Sequence, residues 1–294
     1  MKNWFKYIFL ASLVFLVIAL VRADYLRMPE IHRTGFLVVA LLLVFLGFFL
    51  NGLSWSMILK EAGYRISIRN GVTAHGLSIF TKYIPGKVWV IMGRAEYVAK
   101  MYGYSRKDMT SFSMDAQLIS IWSALLTGTV GVFLVGGLSI YGWGILAMFL
   151  VLSLVIYTPL FHRLTGMILS RVLKREARIP KLPFRRVLKM IFWYVLNWST
   201  WGTGFFFMAA SMLPVVPGFE ISMAFPLAGS FGIITVFAPG GLGVREGIIT
   251  GYLSLTGLEL AIATTIGVFS RLWFLTGEVF IFVLSLILSR KNRP

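Results

Sequence analysis

The residues of this chain that could do chemistry gather around two breaks in an otherwise apolar sequence. Pro85-Gly86 is followed at once by Lys87, then by Trp89, Gly93 and Arg94. Pro239-Gly240-Gly241 is followed by Gly243, Arg245 and Glu246. Proline removes a backbone donor and glycine frees the chain to turn, so each break ends one helix and begins another. A new helix N-terminus offers unpaired N–H groups and the positive end of a dipole, which suits an anion such as phosphate. Arginine's planar fork matches phosphate oxygens in two-point contact. Arg271, roughly midway along the last apolar run, adds a third arginine. Lys87, Arg94, Arg245 and Arg271 aimed at one cavity would hold a lipid phosphate or diphosphate.

Carboxylates accompany these cations. Glu96 is two residues from Arg94, Glu246 adjoins Arg245, and Glu278 follows Arg271 by seven residues, two turns along the same helix face. Asp115 sits inside an apolar run with Thr110, Ser111, Ser113 and Gln117 around it. An ionisable group within a membrane costs several kcal/mol unless paired or hydrated, so all are candidates for ion coupling or charge pairing. The competing reading is structural. Arg94–Glu96, Arg245–Glu246 and Arg271–Glu278 would be internal ion pairs, and Asp115 would hydrogen-bond among its neighbouring hydroxyls. His75 reads as a polar packing residue. Trp4, Tyr25, Trp143, Trp193 and Tyr194 fit interfacial belts, and Gly128 and Gly131 fit close helix contacts.

The elements that must position these groups follow from composition. The chain has 294 residues, 58% hydrophobic and 13% charged, where a soluble domain carries about 25% charge. Runs of about 20 apolar residues recur from end to end, so the fold class is an all-α polytopic membrane protein. Six long spans are expected, at 5–21, 35–59, 110–135, 141–161, 190–213 and 260–288. The first lacks a small-x-small cleavage site and reads as a span rather than a signal peptide. The absence of cysteine excludes disulfides and thiolate metal sites, and no metal or cofactor is expected.

Net charge is +17, which in a soluble chain would suggest nucleic acid. Placement argues otherwise. Twenty of the 28 basic residues fall on one side when the N-terminus, 60–70, 100–108, the basic loop 162–189 and the C-terminal tail are assigned together. That puts both termini in the cytoplasm, with the protein integral to the cytoplasmic membrane. The loop then needs no partner beyond anionic lipid.

Two stretches, 71–99 and 219–256, do not fit full spans. The arms of the first have about 12–14 residues and reach about 20 Å, short of a roughly 30 Å hydrocarbon core. They also carry Lys82, Lys87, Arg94 and Glu96. In the second, the arm after the break is short, and the longer arm before it is interrupted by Pro226. Charge parity allows either two hairpins or four extra short spans, and arm length with embedded charge favours re-entrant hairpins. Residues 1–137 and 138–294 then form two halves of one membrane domain, inverted relative to each other. Broken helices at matching places in inverted halves point to a transporter site near the midplane.

The motifs KYIPGKVWVIMGRAEYV and FAPGGLGVREG, about 150 residues apart, resemble those of the lysylphosphatidylglycerol synthase transmembrane-region family, also called flippase-like. The resemblance covers nearly the whole chain. It implies lipid translocation or handling of polyprenyl-phosphate-linked sugars, and it marks Pro85, Gly86, Trp89, Gly93, Arg94, Pro239, Gly240, Gly241, Gly243, Arg245 and Glu246 as motif residues. The soluble aminoacyl-transferase part of the bifunctional members is lacking, so synthase activity does not come with the resemblance.

No Walker A, GxGxxG, HExxH or Gly-x-Ser-x-Gly motif is present, so no enzyme or intrinsic ATP-driven pump is expected. The leading expectation is a flippase for an anionic lipid, either a phospholipid or a polyprenyl-phosphate-linked glycan. The alternatives are a lipid-binding accessory subunit beside an envelope-biosynthesis enzyme, and a membrane-embedded sugar transferase using Glu246 or Asp115 as base. Glycine-rich helix faces permit a homodimer.

Overall fold

A computed structural model describes residues 30–84, 88–157, 184–235 and 238–290. The expected span 5–21, the residues Pro85, Gly86 and Lys87, and most of the basic loop 162–189 lie outside the described residues. Within them the chain is entirely helical: α1 Thr34–Glu61, α2 Ile68–Ser78, α3 Val88–Tyr102, α4 Arg106–Gly136, α5 Ile140–Tyr157, α6 Phe184–Met212, α7 Ala224–Ile234, α8 Val244–Leu255 and α9 Leu260–Arg290. Of three short 3-10 segments, Ile79–Tyr83 precedes the first break, Phe219–Met223 leads into α7, and Pro239–Gly241 forms the second break.

Of the described helices, α1, α4 and α9 are long and apolar enough to cross a membrane. Their bounds lie within a few residues of those expected. α6 begins earlier than expected, at Phe184 directly after Pro183, and takes Arg185, Arg186 and Lys189 out of the anticipated loop. Elsewhere the start signals are local. The Ser67 hydroxyl accepts from the Asn70 amide at 3.2 Å to begin α2, and Ser105 accepts from the Asp108 amide at 3.3 Å to begin α4.

The core of the bundle is the long antiparallel contact of α1 with α6. It is fixed at both ends and in the middle. At one end Arg33 donates to the carbonyls of Leu213 at 2.5 Å and Pro214 at 2.7 Å, satisfying the terminus of α6. At the other end Lys189 pairs with Glu61 at 2.9 Å. In the middle the buried Asn51 Nδ2 donates to Asn197 Oδ1 at 2.9 Å, and Asn197 Nδ2 donates to the Gly47 carbonyl at 2.7 Å. The close approach depends on Gly47, where a Cβ would run into the Trp201 indole.

With α5 set aside, the described helices fall into two runs of similar length, one beginning with each member of this pair. α1, α2, α3 and α4 have 28, 11, 15 and 31 residues; α6, α7, α8 and α9 have 29, 11, 12 and 31. Their packing also corresponds. α2 lies against α3 and α9, while α7 lies against α8 and α4. At about 1.5 Å per residue an 11-residue helix covers about 17 Å, well short of a bilayer core. Pro226 does not interrupt α7 as the sequence suggested. It is the third residue of that helix, where 3-10 passes into α and the missing N–H goes unneeded. Gly128 and Gly131 on α4 meet Leu227 and Met223 closely, as expected of contact glycines.

Candidate functional site

The segments beside the two breaks meet. Tyr83, two residues before Pro85, lays its ring on Gly240, where any Cβ would collide with it. Gly240, Gly241 and Gly243 all have positive φ, at 59°, 73° and 80°, which side-chain-bearing residues resist. Gly241 also lies so near the Cα of Gly232 that a methyl group would come within 2.9 Å of it. The glycines of this motif therefore serve geometry: they let the break fold flat against α7 and against the first half of the chain.

Between the breaks lies a cavity of about 320 Å³, within the ~300–1,000 Å³ range of small-molecule sites. Lys82, Val88, Ile91 and Arg94 from the first half and Gly232, Gly240 and Arg245 from the second line it. Val88, half exposed, sits at the rim, so the cavity reaches the surface beside the first break. Its walls are largely apolar and include the rings of Phe48, Trp198, Trp201, Phe225 and Phe274.

Arg245 is 7% exposed and makes no hydrogen bond among the described residues, with Nε buried and unpartnered. Its guanidinium lies between the Phe225 ring at 4.9 Å and the Phe274 ring at 4.6 Å. Aromatic faces attract a cation but offer no acceptor for its N–H groups. Glu246 is buried beside it, yet forms no ion pair among the described residues, and its Oε2 is unpartnered. The expected Arg245–Glu246 pair is therefore not made, since adjacent residues on a helix point apart.

Arg94 is held differently. Its Nε donates to Ser113 Oγ and its Nη2 to the Ser113 carbonyl, while the Trp55 ring stacks on it at 4.7 Å. It does not pair with Glu96. That carboxylate takes Lys100 at 3.2 Å and Arg106 at 3.1 Å on an exposed face, because α3 turns Glu96 away from the buried side that carries Arg94.

The expected Arg271–Glu278 pair also gives way to other partners. Glu278 is fully buried, binds Lys82 in an ion pair, and accepts from the Tyr83 hydroxyl at 2.8 Å. Arg271 donates to the Gly240 carbonyl at 2.8 Å and stacks on the Tyr83 ring at 5.3 Å. It braces the second break and is not part of the cavity wall. Asp115 is buried with Oδ2 unpartnered; Thr110 turns back to its own helix and Ser113 is engaged with Ile91 and Arg94, so the local hydroxyl network does not form. Four cations, Lys82, Arg94, Arg245 and Arg271, thus share this interior with three carboxylates, Asp115, Glu246 and Glu278, and Lys82 pairs with Glu278.

Other sequence candidates take lesser places. Gly93 abuts Ser78 and permits α2 and α3 to close together. Trp89 is half-buried outside the cavity wall, and Gly243 is exposed, so the N-terminus of α8 does not face the cavity. Tyr194 is no interfacial residue: it is buried and lines the cavity. Trp143, about half exposed, does fit a belt.

Sequence spacing does not put Lys82, Asn51 or Asn197 among the candidate site residues, and it reads His75 as a packing residue alone. Lys82 had a signal, an ammonium inside an apolar arm. His75 lines the cavity with both ring nitrogens unpartnered. Asn51 and Asn197 fall in Leu50-Asn51-Gly52-Leu53-Ser54-Trp55 and Leu196-Asn197-Trp198-Ser199-Thr200-Trp201, an internal Leu-Asn-x-x-x-Trp likeness between α1 and α6.

A search of the curated proteins finds no match. The family described as the lysylphosphatidylglycerol synthase TM region matches residues 3–284, a stretch that contains both breaks, the cavity between them and nearly all of every described helix. An integral membrane protein whose function relates to lipid is what that match supports, and the chain belongs to that family.

Proposed function

We propose that the protein is a flippase that carries an anionic lipid, a phospholipid or a polyprenyl-phosphate-linked glycan, between membrane leaflets. The observation that carries this reading is Arg245: a guanidinium buried at the wall of a cavity, between two rings, with no acceptor from the protein among the described residues. Such a group is costly unless an anion completes it, and a lipid phosphate supplies oxygens in the matching geometry. Arg94 and Lys82 extend the positive wall, and the half-exposed rim at Val88 offers a path for the acyl chains.

In this reading the chain lies in the cytoplasmic membrane with both termini in the cytoplasm. It has six spans and two re-entrant hairpins, α2–α3 and α7–α8, in inverted halves. The matched helix lengths and the reciprocal packing of α2 on α9 and α7 on α4 favour it. Movement of one half against the other would expose the cavity to each leaflet in turn. No nucleotide is consumed in this scheme; the gradient of the lipid, or coupled ions, would drive it.

The test is leaflet exchange of a fluorescent anionic lipid by the full chain in liposomes. Arg245→Gln is expected to slow exchange by about 10–100-fold, the loss of one or two charge-assisted hydrogen bonds. Arg290→Gln, at the end of α9, should exchange at the parent rate. Exchange by Arg245→Gln at the parent rate would refute the site, and lipid binding without any exchange would replace the flippase with an accessory binding subunit.

A further inference from the structure

We propose that the cavity selects a headgroup that is anionic, free of amines and rich in hydroxyls, with the phosphate at Arg245 and the hydroxyl-bearing part against His75. This rests on the lipid-phosphate reading above and narrows its substrate class.

The polar groups of the wall divide into two kinds. Lys82, Arg94 and Arg245 are cationic; His75, Asn51, Gln117, Ser120 and Tyr194 supply uncharged hydrogen-bonding types. No carboxylate belongs to the wall among the described residues. Glu278 is committed to Lys82 and Tyr83, while Asp115 and Glu246 are buried outside the lining. An ethanolamine, serine or lysyl ammonium drawn into this space would shed its water and meet three like charges with no carboxylate to pair with. That arrangement rejects it, as an unpaired charge in a desolvated site does elsewhere.

The neutral groups select in the positive sense. His75 is 5% exposed, and neither Nδ1 nor Nε2 has a partner. A neutral imidazole presents one donor and one acceptor, and a hydroxyl is both at once. Asn51 spends its Nδ2 on Asn197 and keeps Oδ1 as an acceptor, and the Gln117 amide is unengaged among the described residues. A bare phosphate monoester would leave this set of groups desolvated and unmatched, the costly case for buried polar atoms. Trp198 and Trp201, whose own N–H groups are turned to the Ser120 and Val44 carbonyls, leave flat indole faces for the C–H side of a ring or a glycerol. The volume of about 320 Å³ suits a phosphate with one small polyol rather than an oligosaccharide.

The experiment measures binding of the full chain in nanodiscs by tryptophan fluorescence, alongside leaflet exchange in liposomes. The probes are phosphatidylglycerol and phosphatidylinositol, a polyprenyl phosphohexose, phosphatidic acid and phosphatidylethanolamine. The amine-free polyol lipids are expected to bind at least about tenfold tighter than either phosphatidic acid or phosphatidylethanolamine. The arms with glycerol-based and polyprenyl-based polyols tell the two lipid sources apart. His75→Ala should erase the margin over phosphatidic acid, and His75→Gln should keep part of it. Arg245→Gln should weaken every anionic probe alike. Phosphatidylethanolamine binding as well as the polyol lipids, or a polyol margin indifferent to His75→Ala, would overturn the selectivity. Affinities indifferent to Arg245→Gln would instead overturn the phosphate site on which it stands.

Discussion

The two breaks share a Pro-Gly motif and an arginine, yet they treat their charges in opposite ways. Beside the first, the described cations are engaged: Lys82 with Glu278, and Arg94 with both Ser113 oxygens and the Trp55 ring. Beside the second, the glycines and Arg271 hold the backbone, and Arg245 is left with only aromatic company. Similar motifs in a repeated architecture thus need not divide the work equally. One side anchors the cavity and the other presents its charge.

The sharpest way to break that contrast is to cut the anchor. Removing one partner of a buried ion pair leaves the other charge uncompensated, at about 3–5 kcal/mol. Glu278→Ala is therefore expected to lower thermal stability in detergent far more than any other single change here. A Lys82→Met, Glu278→Met double variant should recover most of the loss. Recovery is the informative part, since it separates a stranded charge from lost packing.

Next comes the pair of arginines measured side by side. Arg245→Gln should keep or raise the melting temperature, because an unpartnered buried charge is removed, while lipid exchange collapses. Arg94→Gln should do the reverse in emphasis. It loses about 1.5–3 kcal/mol of stability with its charged hydrogen bonds, and exchange falls only as the folded fraction falls. If Arg94→Gln abolishes exchange in a fully folded protein, the division between anchor and presented charge is wrong.

The smallest effect is expected at the surface. Lys189→Ala breaks the exposed pair with Glu61 and should cost at most about 1 kcal/mol. A larger loss, measured by the same unfolding assay, would mean that the ends of α1 and α6 constrain the halves more than solvent-exposed charges usually can.

Much of this was legible in the sequence because membranes make polarity conspicuous. Apolar length gave the helical class and placed the ends of α1, α4 and α9 within a few residues. Arginine inside apolar runs gave Arg94, Arg245 and Arg271. What sequence spacing could not supply was partner choice. Arg271 and Glu278 share a helix face, but Lys82 arrives from another helix layer and takes the carboxylate first. Glu96 lies two residues from Arg94 and points to the opposite side of α3. Arg271 was expected on the ligand and instead supports the Gly240 carbonyl, a backbone need invisible in a list of side chains. Lys82 lies before its break, where one helix ends and no new N-terminus begins, so the helix-dipole argument that marks Lys87 and Arg245 does not reach it. The likeness around Asn51 and Asn197 was too short to stand out until the hydrogen bond joined them.

That amide pair has a bearing on how the halves could trade places. A carboxamide holds donor and acceptor on one flat group, so the bond from Asn51 to Asn197 can be run backwards with neither side chain orphaned. At present Asn197 rests its spare donor on the carbonyl of Gly47, four residues before Asn51. The carbonyl of Trp193, four residues before Asn197, is its counterpart in sequence, but it accepts from Ser54 Oγ at 3.5 Å. Reversing the joint would therefore free the Gly47 carbonyl and require the Asn51 donor to take the place of the Ser54 hydroxyl at Trp193.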